Sequence, residues 1–346
     1  MTLPTHTITY KKNTYQKGVA LVMVLIILAM ISIISVQLIT ERNIQARKTN
    51  NIILADNAWH FARGAEILAK VVIIESLKNE KTVNLSQPWA MEGIQFPIDG
   101  GSIKAELKDL RSCFNLNGIL SSEKTSSNET PQAEQANQPL AGELVFIELL
   151  ESLELPDVQP KALAATLRDW IDEDQQPSGF EGREDYEYSG YTLPYRTADT
   201  QLGSRTELAT ISGYSPEVIE LLLPYVCVIP NEATLILNVN TISVEQPELL
   251  SSFYDKLDNA QATSILNSRP SGGFEESDFN TQLPADAILH KGAFIDFTSS
   301  YFAVSINVEL DRARVNLKSL LHYQGSTNGQ EQANKVQVIA RLGLDD

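Results

Sequence analysis

A short acidic stretch carries the residues of this chain that are best suited to chemistry. Within nineteen residues lie Asp169, Asp172, Asp174, Glu181, Glu184, Asp185 and Glu187, together with the loop-forming Pro177, Gly179 and Gly182. Like charges at this density repel one another, so a folded loop of this composition usually binds a cation. Calcium takes about six to eight oxygen ligands from flexible loops, whereas zinc prefers cysteine and histidine. The stretch therefore predicts a calcium site.

The predicted calcium ligands are carboxylates that would form one site or a pair of sites. They are Asp172, Asp174, Glu181, Glu184 and Asp185, with Asp199 as a further candidate. Their spacing is not that of an EF-hand. A second interpretation therefore stays open, in which the stretch is a solvated acidic loop with Trp170 and Tyr186 packed beneath it.

Catalytic machinery is not indicated. A pair of carboxylates can hydrolyse a glycosidic bond, but the acids here are clustered in one stretch and do not come from separate elements. No triad, metal-binding histidine motif, GxSxG or phosphate-binding loop is present. The histidines are His6, His60, His290 and His322. We therefore expect that the protein is not an enzyme.

The cysteines are Cys113 and Cys227, and they are far apart in the sequence. In an oxidising compartment they could form one disulfide, and the alternative is two buried thiols. No CxxC motif is present, so redox catalysis and a zinc site are not expected.

An uncharged segment, Val19–Thr40, follows a short basic leader near the N-terminus. At about 1.5 Å of rise per residue, a helix of this length crosses a hydrocarbon core of about 30 Å. The leader contains Lys11, Lys12 and Lys17 and no acidic residue. This charge keeps the leader in the cytoplasm and places the bulk of the chain across the membrane.

The sequence leaves open whether and where this segment is cleaved. A secretory signal peptide would be cut behind the apolar core, but Gln37–Arg42 makes a poor site. A plain signal anchor would stay uncut. The more specific interpretation is cleavage after Gly18, because Lys17-Gly18 before a hydrophobic helix resembles the class III signal of type IV pilins and pseudopilins. Val19 would then become the new, methylated terminus.

Met23 departs from the usual pilin pattern. It stands at the fifth position of the expected mature chain, where most pilins have a glutamate that pairs with the neighbouring subunit. A buried carboxylate is costly unless it is paired, and a subunit with no neighbour above it does not need one. Met23 therefore suggests a terminal subunit, and the alternative is that the chain is not a pilin and Met23 is one more apolar residue of a membrane anchor.

The net charge limits the classes of partner. The 346 residues carry a formal charge of −17, which opposes binding to nucleic acid or anionic lipid and suits a periplasmic body, basic partners or divalent cations. Thr210–Tyr225 and Asn240–Phe253 resemble helix-hairpin-helix units, some of which bind DNA. The segment Ser212–Glu217 contains no lysine for phosphate, so we expect no nucleic-acid binding.

The order of predicted elements is strand, then helix, then strand. A long helix is expected to end near Leu77. The predicted strands are 93–97, 103–110, 303–310, 314–321 and 335–340, and the predicted helices are 143–153, 160–171, 216–223, one ending at Phe253, and 260–267. Ser121–Gly142 is polar and without periodicity, which predicts a surface loop. A helical domain inserted into a small sheet accounts for this order.

Several stretches together resemble the protein K family of minor pseudopilins of the type II secretion system. They are KGVALVMVLIILAMISI, CFNLN from Cys113, LRDWIDEDQQPSGFEGREDYEY, LPYR, LNVNT and YFAVSINVEL. The fold implied is α+β: a pilin-like N-terminal helix and small antiparallel sheet, with a large inserted all-helical domain resembling sterile-alpha-motif and helix-hairpin-helix folds. The expected parts are a leader (1–18), a transmembrane or filament helix (19–40), the pilin-like helix and first strands (41–115), the inserted domain (116–290) and the last strands (291–346).

The resemblance also implies a function. It predicts an inner-membrane pseudopilin with a periplasmic body, at the tip of the pseudopilus with other minor pseudopilins of the I and J types, supporting assembly and capping for protein export. Other expected partners are the major pseudopilin and prepilin peptidase, and calcium sites in the helical domain are a family feature. The alternative is an uncleaved, membrane-anchored periplasmic calcium-binding scaffold.

Overall fold

The computed structural model describes residues 17–91, 93–121, 139–155, 159–325 and 334–342. In chain order its helices and strands are α1 (Lys17–Leu77), β1 (Gln95–Ile98), β2 (Gly101–Asp109), β3 (Phe114–Asn115), α2 (Ala141–Ser152), α3 (Pro160–Ile171), α4 (Asp185–Tyr188), α5 (Pro216–Leu222), β4 (Val226–Cys227), β5 (Leu235–Asn238), α6 (Pro247–Ser251), β6 (Tyr254–Asp255), α7 (Asn259–Asn267), α8 (Glu276–Gln282), β7 (Ile288–Leu289), β8 (Ala293–Asp296), β9 (Tyr301–Leu310), β10 (Ala313–Gln324) and β11 (Lys335–Leu342). Short 3-10 turns occur at Pro88–Ala90, Leu116–Leu120 and Arg205–Thr210.

The chain divides into two compact units, the first ending at Asn57 and the second running Ala58–Asp346. The described residues of the first unit all lie in α1, and nearly all of their side chains are exposed. α1 is the one helix of the described residues that is long and apolar enough to cross a membrane. The predicted helix to Leu77 is confirmed.

In the second unit, α1 is amphipathic with a buried stripe of mostly small residues. The stripe consists of Ala58, Ala62, Glu66, Ala69, Ile73 and Leu77. The spacing of three to four residues puts these side chains on one face of the helix. Glu66 on this face reaches Ser319 of β10 and Arg341 of β11, so the helix packs on the sheet that these strands form.

That sheet has five strands in the order β1-β2-β9-β10-β11, and every neighbouring pair is antiparallel. The predicted strands at both ends of the chain are confirmed to within a few residues. Asp311, in the turn between β9 and β10, has a φ of 52°. The long sequence separation of β2 and β9 leaves room for a second body of chain between them.

The chain between β2 and β9 has its own hydrophobic core, to which the helices α2 to α8 all contribute. The predicted helices α2, α3, α5 and α7 are confirmed. Ser215 caps α5 by accepting from the Val218 amide at 3.4 Å, and Pro216 occupies the first helical turn.

The prediction that this part is all-helical is wrong. β3 pairs with β4, β5 with β8 and β6 with β7. Each strand has only two to four residues, too short to show an alternating pattern. Partners such as Phe114 and Val226 meet across more than a hundred residues of sequence, which no local pattern reveals. Most of the predicted surface loop Ser121–Gly142 lies outside the described residues, and its end, from Ala141, begins α2.

Candidate metal centre

The candidate ligands lie at the end of α3 and at the start of α4. α3 ends at Ile171, and Asp172 follows in extended conformation with its amide still bonded to the Arg168 carbonyl at 2.9 Å. Glu184 stands directly before α4, also in extended conformation. The two residues therefore stand at the two ends of the loop that joins α3 to α4.

Asp172, Asp174 and Glu184 each present a carboxylate oxygen, and these three oxygens lie within 4.8 Å of one another. Glu184 is only 4% exposed. Both of its oxygens, and Oδ1 of Asp172, are buried and have no hydrogen-bond donor. A buried carboxylate without a donor is costly. A divalent cation between these oxygens would satisfy all of them, so the residues fit a calcium site.

The electrostatics of the cluster agree with its geometry. Burial, followed by the negative charges of Asp169 and Asp174, raises the pKa of Asp172 to about 7. Burial, followed by the charges of Asp169 and Asp172, raises the pKa of Glu184 to about 8. Without a bound cation, these two carboxyl groups therefore stay protonated over a pH range in which exposed carboxyl groups are ionised.

Asp169 is a residue of the site that the predicted ligand set omitted. It is fully buried, and its oxygens accept the Ser178 amide at 3.0 and 3.2 Å, which folds the loop back onto α3. A Cβ at Gly182 would overlap Oδ2 of Asp169, so only glycine fits there. The signal in the sequence was the position of Asp169 in the last turn of α3, three residues before Asp172 in the same acidic stretch.

Asp199 and Asp185 lie side by side but have different surroundings. The Thr197 hydroxyl is 2.6 Å from Oδ1 of Asp199 and 2.9 Å from Oδ1 of Asp185. The negative charge of Asp199 contributes to the raised pKa values of Asp172 and Glu184, so it lies near the cluster, and its oxygens accept hydrogen bonds from the Gln175 amide at 3.2 Å. Asp185 instead accepts the Thr197 amide at 3.0 Å and lies 3.7 Å from Arg196.

Glu181 is not part of the three-carboxylate cluster. It lines a cavity beside Phe180 and Lys161. The aromatic residue beneath the loop is Tyr188, whose ring lies 5.4 Å from that of Trp170. The suggestion that Tyr186 packs there is wrong, because Tyr186 is 92% exposed. The helical phase of α4 points residue 188, and not residue 186, into the core.

The two cysteines are joined in a disulfide with a Cα–Cα distance of 5.8 Å. Cys113 follows β2, and Cys227 lies in β4. Both are buried in a small core with Leu110, Ile229 and Leu320. Both cysteines belong to the chain between β2 and β9, and the bond links its first residues, just after β2, to β4.

The expected processing site lies at the first residues of α1. Gly18 is the second residue of the helix, and a Cβ there would meet no atom within 4 Å. Val19 and Met23 are exposed. The basic residues Lys11 and Lys12 of the predicted leader lie outside the described residues.

Two family models match the chain, and both describe protein K of the type II secretion system. They cover residues 112–231 and 237–294, and so include the acidic stretch. A type II secretion system protein K from Aeromonas hydrophila is 35% identical over 332 residues, with 94% of this chain and 97% of the relative covered. One from Pectobacterium carotovorum is 32% identical over 334 residues, covering 94% and 96%.

A solved structure extends this similarity to the fold. It is a chain of the GspK-GspI-GspJ complex of the type 2 secretion system from enterotoxigenic Escherichia coli. The match has a TM-score of 0.71 and 27% sequence identity, and it covers 85% of this chain and 98% of the other.

Proposed function

The chain belongs to the protein K family of type II secretion systems and is a minor pseudopilin, and we propose that it forms the tip of the pseudopilus with minor pseudopilins of the I and J types. The observation that carries the proposal is the similarity, at a TM-score of 0.71, to a chain solved in a complex of three such proteins. Its function would be to support assembly of the pseudopilus and to cap it for protein export.

Two features of this chain support a position at the end of a filament. Met23 offers no carboxylate to a subunit above it. The chain between β2 and β9 is large and has its own core. We propose that it acts as an inserted, mainly helical domain, related to sterile-alpha-motif and helix-hairpin-helix folds, whose bulk blocks further addition.

Anchoring and processing follow from the N-terminal helix. α1 would hold the protein in the inner membrane with the bulk of the chain in the periplasm, and in the filament it would pack against the major pseudopilin. Prepilin peptidase would cut after Gly18 and methylate Val19. The uncleaved calcium-binding scaffold remains the alternative, and no observation favours it over a pseudopilin.

Calcium is the cation that fits the acidic cluster best. Asp172, Asp174 and Glu184 would supply ligands from both sides of the loop between α3 and α4, with Asp199 next to them. Bound calcium supplies positive charge that lets these carboxylates ionise together. Asp169 would hold the loop in place from below, and Asp185 would order the segment around Thr197.

Co-purification tests the tip assignment. The chain is co-expressed with its I-type, J-type and major pseudopilins, each carrying a different tag, and complexes are isolated from detergent through this chain. We expect the I and J types at equal amounts and the major pseudopilin at a substoichiometric level. Equal recovery of the major pseudopilin along a filament would contradict a tip position.

The mass of the protein extracted from membranes tests processing. A chain that begins at Val19, with or without a methyl group, would support cleavage by prepilin peptidase. A chain that still carries residues 1–18 would favour the uncleaved scaffold.

A further inference from the structure

An apolar groove with a volume of about 370 Å³ is bounded by α1, by residues 88–94 and by the strands β1 and β2. Phe61 and Leu68 of α1, Phe96 of β1 and Leu107 of β2 are among the residues that line it. All of the lining belongs to the second unit, so the groove lies within one compact body of the protein.

Trp89 gives the groove a well-packed lining. Its side chain is buried, and its ring lies 5.1 Å from that of Phe302 of β9 in an edge-on arrangement. The indole N–H donates to Oε1 of Gln87 at 2.8 Å. Because a ring contact and a hydrogen bond both hold this side chain, the groove is preformed in the fold.

The groove presents apolar surface to the solvent. Among the described residues that line it, none is an aspartate, glutamate, lysine or arginine, although these types make up 21% of the chain. Leu68 is 48% exposed and Met91 60%, and Phe61 and Phe96 are exposed as well. Contiguous exposed apolar surface that gathers from separate segments is typical of an interaction site. The groove therefore fits a docking surface.

An added strand or a small polar ligand does not suit this surface. β1 is the edge strand beside the groove, but it has only four residues, and one of them is Pro97, which has no amide to donate to a further strand. A small ligand usually needs several polar groups to orient it, and the indole N–H of Trp89 is already bonded. A helix needs neither, because its backbone hydrogen bonds are internal.

The length of the groove also fits a helix. The residues of α1 that line it extend from Phe61 to Val72, a distance of about 16 Å at 1.5 Å of rise per residue. This corresponds to about three helical turns. An amphipathic helix lying along α1 would insert apolar side chains spaced by three, four and seven residues, which is the usual mode of recognition for a helix in a groove.

We propose that this groove binds the N-terminal helix of a neighbouring minor pseudopilin of the I or J type, and this proposal rests on the proposed tip assembly. α1 of this chain shows which side chains such a helix offers. It buries a stripe of mostly small residues against its own sheet and leaves Ile67 and Val71 exposed. A partner helix of the same kind would have apolar side chains free to enter the groove.

Photo-cross-linking tests the proposal in the full-length protein. Benzoylphenylalanine replaces Met91 at the groove, and the chain is co-expressed with its I-type, J-type and major pseudopilins. We expect irradiation to give an adduct with the N-terminal helix of the I or J type, and peptide mass spectrometry identifies which. The matched control carries the same photoreactive residue in place of the exposed Lys104, which alternates with the groove-lining Ile103 and Ala105 on β2. It should give no adduct with that helix.

Several cross-linking results would overturn the proposal. One is the absence of an adduct from position 91 while the I and J types still co-purify. Adducts formed only with a second copy of this chain, only with the major pseudopilin, or only with strands and loops of the I and J types would assign the groove to another occupant.

A charge placed in the groove gives a second test. Leu68→Glu should lower co-purification of the partner that is cross-linked at least about tenfold, because docking would bury an unpaired carboxylate. Val244→Glu alters a similarly exposed apolar residue of the chain between β2 and β9 and should leave co-purification unchanged. Thermal unfolding checks that both variants fold, and Met91→Glu replaces Leu68→Glu if the latter does not.

The two proposals fail in different ways. If the wild type recovers neither the I nor the J type, the tip assembly itself is wrong, and this inference fails with it. If the wild type recovers them and a folded Leu68→Glu variant recovers them equally well, the tip assembly stands and the groove is not the docking surface.

Discussion

The carboxylate of Glu66 on α1 accepts hydrogen bonds from Nε and Nη2 of Arg341 on β11, at 3.0 and 3.1 Å. The Ser319 hydroxyl of β10 donates a further bond at 2.7 Å. Glu66 is 1% exposed, and burial by itself would raise its pKa. The hydrogen bonds and the positive charge of Arg341 outweigh burial and leave the pKa below its ordinary value. A single buried carboxylate thus ties the helix to the last two strands of the sheet.

Glu66→Gln should destabilise the second unit by about 1.5–3 kcal/mol, the range for a hydrogen bond to a charged group. A carboxyl group with a lowered folded pKa stabilises the protein above its unfolded pKa, about 4.3, and this stabilisation is lost as the pH falls through the folded pKa. We therefore expect a shallower acid dependence in the variant, measured by urea unfolding from pH 3.5 to pH 7. Glu309→Gln removes the exposed pair with Arg314 and should change little. Identical acid slopes for wild type and Glu66→Gln would contradict the assignment.

Calcium affinity should rise with pH. Asp172 and Glu184, with pKa values of about 7 and about 8 in the metal-free protein, must lose their protons before they can bind a cation. We expect affinity to increase at least about tenfold from pH 6 to pH 8.5, with proton release on binding. Titration calorimetry in two buffers of different ionisation enthalpy measures both. An affinity that is the same at both pH values would argue against these ligands.

The same pKa values predict how chelation changes stability. A carboxyl group with a raised folded pKa destabilises the fold as the pH rises from its unfolded to its folded pKa. The metal-free protein should therefore lose stability between about pH 5 and pH 8, and the difference in Tm between calcium and EDTA should grow over this interval. A difference that shrinks toward pH 8 would contradict the model of repelling carboxylates.

Glu184→Gln and Glu181→Gln form a matched pair that locates the site. Glu184 is buried in the three-carboxylate cluster, whereas Glu181 lines a neighbouring cavity. We expect Glu184→Gln to weaken calcium binding by tenfold or more and to stabilise the metal-free protein at pH 8, because one of the repelling charges is gone. Glu181→Gln should do neither. Equal losses of affinity in the two variants would return Glu181 to the ligand set.

The sequence predicted the region of the carboxylate cluster but not which acids within it come together. Asp172, Asp174 and Glu184 were in the predicted set, because calcium chemistry selects carboxylates in a loop. Glu181 and Asp185 were in it for the same reason, yet the contact of Asp185 with Thr197 depends on a return of the chain twelve residues later. Composition cannot show which acids turn inward, and for the same reason it did not separate Asp169, which holds the loop, from its neighbours.

The fold was predictable where patterns are long and local. α1 and the strands β9 to β11 have enough residues to display their periods. The pairs β3–β4, β5–β8 and β6–β7 have at most four residues per strand, and each depends on a partner elsewhere in the chain. Pairing with these distant partners decided their conformation, which is why a wholly helical insertion was the wrong prediction.

Removal of the disulfide should destabilise the inserted part, because the bond joins its first residues, just after β2, to β4. Cys113 and Cys227 are separated by 114 positions, and cross-links that close such loops typically contribute about 2–4 kcal/mol. We expect a loss of this size for Cys113→Ala with Cys227→Ala, measured by urea unfolding without reductant. Wild type with reductant should resemble the variant. Unfolding that is unaffected by either change would mean that the cysteines are not bonded in the protein.

Gly18→Val tests whether the cut lies in front of α1. A Cβ at Gly18 meets no atom within 4 Å in the protein, so folding gives no reason for this variant to fail. A peptidase that requires glycine before the cut should leave it at the full-length mass, and the uncut leader should keep it out of the pseudopilus. Gly64→Ala, also in open space on α1, is the control and should be processed and assembled normally. The measurement is intact mass spectrometry of membrane extracts. If Gly18→Val yields the same mature N-terminus as the wild type, the cleavage site lies elsewhere. A variant that is uncut but still anchored in the membrane assigns the mature N-terminus to Val19.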